Sequence, residues 1–246
     1  MSSSARERLY HASLLSTNAQ RGTPYPCSQR DINATEQFSH HNERPFVSAS
    51  RASREIIEHN DQRRSPSACE QDAIRCLARA LDEAESGPWG PDLIIKCFCD
   101  LDTVFFGGVL RGNVRVGWGS AHELAMLEEA LRDNYGITIH TQPGRADIFL
   151  NARGIFSNPN AAVSLFRAIF STMLHEMCHA FEFVRVRPDE HERDGHGPQF
   201  GSRIHAVDRR ANELLGLEAV EAWEFYRRCH TGGRAVDREG RRGFRV

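Results

Sequence analysis

The sequence predicts a domain of mixed helices and short strands. Apolar residues recur at helical spacing in several separate runs, and two short strand-like segments flank a Pro-Gly turn. Glycine and proline clusters punctuate the runs. With 246 residues and 40% hydrophobic content, the chain suffices for one globular domain plus tails.

Residues 1–66 are polar, rich in Ser, Asn, Gln and Arg, without a sustained period, and read as a largely disordered tail. Ser67-Ala68-Cys69-Glu70 has capping-box form, and Ile74, Leu77 and Leu81 follow at helical spacing. Gly87-Pro88-Trp89-Gly90-Pro91 breaks the chain. Leu93 to Phe106 is an apolar helix through Ile94, Phe98, Leu101 and Phe105, ended by Gly107-Gly108. Val114–Trp118 reads as a strand, and residues 121–133 as a helix through Leu124, Leu127 and Leu131. Strands at 137–141 and 147–151 are joined by a turn at Gln142-Pro143-Gly144-Arg145. Residues 161–184 form one long helix through Val163, Phe166, Ile169, Phe170, Met173, Leu174 and Met177, with capping chemistry in Asn158-Pro159-Asn160. Pro198 opens a last helix with a stripe of Phe200, Ile204, Val207, Ala211 and Leu214. The folded part is thus expected over 67–226, followed by an Arg-rich tail at 227–246.

Within the long helix lies His175-Glu176-Met177-Cys178-His179, the HExxH pattern of zinc hydrolases. Histidines four apart on a helix project from one face and can share a tetrahedral Zn²⁺. Glu176 lies beside the open coordination position, where it can take a proton from water. Ser171, Thr172 and Ala168 on the same stripe are small and leave room for a ligand.

A third ligand must come from elsewhere. The metzincin position six residues after His179 is Arg185, and no second helix carries a gluzincin-type Glu. His196, 17 residues beyond His179, sits between Gly195 and Gly197 at the start of the last helix, a place fixed by a packed element. The rivals are Asp189, Glu190, His191, Glu192 and Asp194 in the preceding loop, most of whose carboxylates read as solvated charge, and His205, which reads as a part-buried helix residue. Asp194 is also a plausible hydrogen-bond partner for the His196 ring.

The net charge of −2 gives no global sign of nucleic-acid binding. Lysine occurs once, at Lys96. The seven cysteines form neither a CxxC pair nor a secreted-style framework, and Cys97 and Cys99 read as buried free thiols, which suits a reducing, intracellular compartment. No apolar run approaches the ~18–20 residues a membrane span needs, and no signal-peptide core is present. The first thirty residues, with Glu7 their sole acid, bear a faint likeness to a mitochondrial presequence, but a flexible terminus accounts for them better. In the tail, Arg227, Arg228, Arg234, Arg238, Arg241, Arg242 and Arg245 against Asp237 and Glu239 leave a charge of +5, either a solvated terminus or a short arm for phosphate contacts.

HEMCHA at 175–180 followed by DGHGPQF at 194–200 resembles the SprT-like metallopeptidase domain, the protease module of Spartan-type DNA–protein crosslink proteases. Phe98–Leu110, ending in an aromatic-Gly-Gly-x-Leu turn, and Val114–Trp118 are similar to that family's first helix and following strand. The resemblance covers about residues 91–216 and implies an α+β, zincin-like fold, with His175, His179 and His196 as Zn²⁺ ligands and Glu176 as general acid/base. It also implies protein substrates, DNA as a partner and a nuclear rather than cytoplasmic location. Spartan-type proteins add a cysteine-rich zinc subdomain after the protease domain; here only Cys229 and His230 follow, too few for a four-coordinate site. No motif for a replication clamp, ubiquitin or a segregase is evident. The competing expectations are a non-catalytic zinc-stabilised binding module, against which the intact Glu176 argues, and a general intracellular metallopeptidase without a DNA link.

Overall fold

The computed structural model describes residues 45–86, 93–118, 135–151, 154–155, 165–192 and 195–217. Five α-helices and a three-stranded sheet occupy them: α1 (Ala49–His59), α2 (Ala68–Ser86), α3 (Leu93–Phe106), β1 (Val114–Trp118), β2 (Gly136–Gln142), β3 (Arg145–Leu150), α4 (Leu165–Arg185) and α5 (Pro198–Leu215). The predicted helix at 121–133, the breaker at 87–91, the cap at 158–160, the first turn of the predicted 161–184 helix and the tail from 227 lie outside the described residues.

The first helix corrects the expectation of a disordered segment through residue 66. Ser48 caps α1 by accepting from the Arg51 N–H, and the helix buries Ala52, Ser53 and Ile56. Ile56 is its one large buried apolar side chain, worth about 1.5–3 kcal/mol, and so short a stripe shows no period in the sequence. The remaining hold is long-range. Val47 pairs with Val186, with hydrogen bonds of 2.9 Å from the Val47 N–H to the Arg185 carbonyl and 3.1 Å from the Arg187 N–H to the Val47 carbonyl. Glu55 takes both ends of the Arg185 guanidinium at 3.0 Å.

At α2 the capping box forms as its residues predict: the Ser67 N–H donates to Glu70 at 2.8 Å, and the Glu70 N–H to the Ser67 hydroxyl at 3.3 Å. Helix α3 is buried along Ile94, Cys97, Phe98, Leu101 and Phe105. Gly107 and Gly108, both at positive φ, end it, and buried Asp102 secures the turn by accepting from the N–H groups of Leu110 and Arg111 at 3.0 and 2.9 Å.

The sheet order is β1-β3-β2, with β1 parallel to β3 and β2 antiparallel to β3. Pro143-Gly144 closes the β2–β3 hairpin where the turn was expected. Helix α4 packs on β2 and β3, burying Ile169, Phe170, Met173, Leu174, Met177, Phe181 and Val184 in a core shared with Phe98, Phe106, Trp118 and Phe200. Mixed α+β architecture is therefore what the chain adopts. Cys97, Cys99 and Cys178 are buried and stand outside any disulfide. Among the described residues, no helix is long and apolar enough to cross a membrane.

Candidate metal centre

Helix α4 places His175 and His179 one turn apart on one face, as the period requires. His196 comes from the turn before α5. Gly195, at φ 64°, lets the chain reverse there, and an added Cβ would stand 3.5 Å from the His179 ring, so the backbone also passes close to that side chain. Gly197 is the N-cap of α5 and Pro198 its first residue.

The three Nε2 atoms converge: His175 to His196 is 3.1 Å, His175 to His179 is 3.2 Å, and His179 to His196 is 3.1 Å. A tetrahedral Zn²⁺ with bonds of 2.0–2.1 Å needs ligand nitrogens about 3.3 Å apart, so the triangle has the right size. The donor chemistry agrees. Three imidazoles aiming ring nitrogens at one point cannot all satisfy one another, whereas a small cation accepts all three lone pairs. Burial pushes His175 down to about 3, helped by His196. Burial and the neighbouring His175, His196 and Arg203 hold His179 well below the ordinary histidine range. Neutral rings are what a metal needs. All three side chains are only part-buried.

Phe200, fully buried, forms the wall behind the three histidines. Its ring stacks on His179 at a centroid distance of 4.3 Å and meets His196 and His175 edge-on at 4.8 and 5.0 Å. The sequence marked Phe200 only as a core position.

Glu176 is buried beneath β2. The Thr138 hydroxyl lies 2.7 Å from its Oε2 and 2.9 Å from its backbone carbonyl oxygen. Burial raises the carboxyl to about 7, against the lowering effect of Thr138. Gly136 leaves the space the side chain needs: a Cβ there would sit 2.8 Å from Glu176 Cγ and 3.0 Å from Thr172 Cγ2. Neither Thr138 nor Gly136 stood out in the sequence, where residues 137–141 were read only as one strand of a hairpin. Further along the same strand face, His140 stacks on Phe183 at 5.2 Å and meets His191 edge-on at 5.7 Å.

The rivals for the third ligand are engaged elsewhere or stand away from the cluster. Glu190 accepts from the Ala49 N–H at 2.8 Å, and His191 Nε2 lies 3.1 Å from the Val186 carbonyl oxygen. Glu192 accepts from the N–H groups of Gln199 and Phe200 at 2.8 and 2.9 Å. Asp189 and His205 are exposed, so His205 is not the part-buried residue expected. Asp194 lies outside the described residues, as does any hydrogen bond from it to His196. Among the described residues the buried His175 Nδ1 has no hydrogen-bond partner. The expectation that the loop carboxylates are merely solvated is overturned for Glu190 and Glu192: each caps backbone N–H groups of a helix start that lacks intrahelical partners.

Over 41 residues the chain is 46% identical to the DNA-dependent metalloprotease dvc-1 of Caenorhabditis elegans, a stretch covering 17% of this chain and 11% of that protein. The chain thus matches only about a tenth of that relative's length. No solved structure matches the chain significantly. The SprT-like family description matches residues 94–219, just over half of the 246 residues and the whole span of the candidate centre, and the chain belongs to the SprT-like family.

Proposed function

We propose that this protein is a zinc metallopeptidase that hydrolyses peptide bonds in protein substrates, with His175, His179 and His196 holding the metal and Glu176 moving the proton. The observation that carries the reading is the convergence of three ring nitrogens beside one buried carboxyl. Family membership and the relative named a metalloprotease support it. Zn²⁺, when bound, supplies Lewis acidity to water and to the scissile carbonyl.

The chain's own residues do the rest. Glu176 takes a proton from the attacking water and returns it to the leaving amine. A carboxyl brought to about 7 by burial is matched to both transfers near neutral pH. Thr138 holds that carboxyl from β2, and Phe200 fixes the orientation of the ligand rings.

The finer reading is that the substrates are DNA-associated or DNA-crosslinked proteins and that the enzyme works in the nucleus. Its support is the name of the relative and the +5 charge at 227–246. Contacts through such an arm are electrostatic and weaken steeply between about 50 and 200 mM salt.

The experiment is cleavage of an unstructured protein by the full chain, by Glu176→Gln and by a chain lacking 227–246, each with and without single-stranded DNA. Wild type and Glu176→Gln should each hold one Zn²⁺, with the variant slower by at least about 10²-fold. Near wild-type turnover in Glu176→Gln removes the proton-transfer role. Single-stranded DNA should stimulate the full chain, and the truncated chain should cleave without responding. If DNA binds neither form at low salt, the activity is that of a general metallopeptidase.

A further inference from the structure

His196 is the one ligand outside a helix, and a ligand on a turn is only as well placed as the contacts that hold the turn. Those contacts converge on Glu192. Its carboxylate accepts from the Gln199 and Phe200 N–H groups at 2.8 and 2.9 Å. Its backbone carbonyl accepts from the Gly195 N–H at 3.0 Å, and its own N–H donates to Glu182 Oε1 at 2.7 Å. One residue therefore bonds to both sides of His196 and to α4, three residues beyond His179. A Cβ at Gly197 would collide with the Glu192 carboxylate, so that glycine admits the clasp.

Behind Glu192 stands a buried ion pair. Arg203 is 1% exposed and Glu182 4%, and the Arg203 guanidinium binds the second Glu182 oxygen. The same Nη2 lies 3.9 Å from Glu192 Oε2. Arg203 Nη1 donates to the Ser53 hydroxyl at 3.2 Å, and that hydroxyl lies 3.5 Å from the Gln199 carbonyl oxygen. Ser53 belongs to α1, ahead of the family match at 94–219. The chain of contacts thus runs from the N-terminal helix through Arg203 and Glu182 to the turn that presents His196.

We infer that Glu192, seated by the Glu182–Arg203 pair and by Ser53 of α1, is a positioning residue that sets His196 against His175 and His179, so that α1 is part of the metal centre's framework. An ordinary helix cap would act on the stability of α5 alone. Glu192 also sets Phe200, through its N–H, and the Phe200 ring is the surface on which all three ligands rest.

The inference rests on the metal-centre reading, and the test separates the two. Zinc dissociation constants are measured by chelator competition on full-length wild type, Glu192→Gln and Ser53→Ala, alongside Co²⁺ absorption spectra and melting of the metal-free proteins. Glu192→Gln should bind zinc about 10–100-fold more weakly, the usual cost of losing an outer partner of a ligand, with an altered Co²⁺ spectrum. Ser53→Ala should shift the constant in the same direction by less. A Glu192→Gln protein that melts earlier but binds zinc like wild type overturns the inference and leaves Glu192 as a cap. If Glu192→Gln does not fold, Ser53→Ala decides: an unchanged zinc constant in a folded protein overturns the proposal equally. Wild type that binds neither Zn²⁺ nor Co²⁺ instead sinks the metal-centre reading, and this inference with it.

Discussion

The two parts of the histidine cluster are held by different physics. His175 and His179 share a face because α4 is a helix; the backbone places both, and the apolar core beneath keeps the helix formed. His196 has no such backbone rule. Its turn is held by Glu192, by a buried ion pair, and by a helix from about 140 residues earlier in the chain. A ligand pair on a helix comes from local period, whereas a ligand on a turn depends on charges brought together by the fold. Glu176, although on the helix, depends on β2 for its place.

The largest effect should come from removing a ligand of either kind. His175→Ala, His179→Ala and His196→Ala should each lower zinc affinity by more than the about 10–100-fold expected for an outer partner. Metal content after dialysis measures this. If His196→Ala keeps full zinc, the turn is not part of the centre, and the contrast between helix and turn loses its object.

A smaller effect should follow from Gly136→Ala, which probes the dependence of the helix half on β2. The added methyl would press on Glu176 and Thr172, an overpacking that typically costs about 1–3 kcal/mol. Displacing the carboxyl by an ångström can cost about 10²-fold in rate. The variant should keep its zinc and lose kcat far more than it changes KM. Unchanged kcat would show that the position of Glu176 is set by α4 alone.

What was legible in the sequence follows the same division. Period revealed α2, α3, α4 and α5, the capping residues Ser67 and Glu70 marked a helix start, and Pro143-Gly144 marked the hairpin. The HExxH spacing marked His175 and His179, and the glycines around His196 marked a third histidine that the structure brings to them. The helix α1 was hidden because its buried face is three residues long and its polar contacts, such as Glu55 with Arg185 and Ser53 with Arg203, join positions 130 and 150 residues apart. For the same reason Glu192 looked like solvated charge: nothing local distinguishes a carboxylate that caps a distant helix from one that faces water. Thr138 and Gly136 were hidden because a threonine and a glycine in a strand are ordinary until the strand is laid against Glu176.

The smallest effect concerns Glu190, the outermost of the charges that hold the turn to α1. Its carboxylate accepts from the Ala49 N–H, which lowers its pKa below the usual 4.5; Arg187 adds to the lowering and desolvation opposes it. A carboxyl depressed in the folded state stabilises it above the unfolded value, and that contribution is lost as pH falls through the lower, folded value. The Ala49 amide resonance should therefore titrate with a midpoint below 4.5 in wild type, and that step should be missing in Glu190→Gln. The residue is at the surface, so the global melting temperature should move little. Metal affinity should also be unaffected, since Glu190 lies outside the contacts linking Ser53, Arg203, Glu182 and Glu192. A midpoint at or above 4.5 would mean the Ala49 contact does not hold the carboxylate in solution, and α1 would then be joined to the turn by its other contacts, among them Ser53 with Arg203 and Glu55 with Arg185.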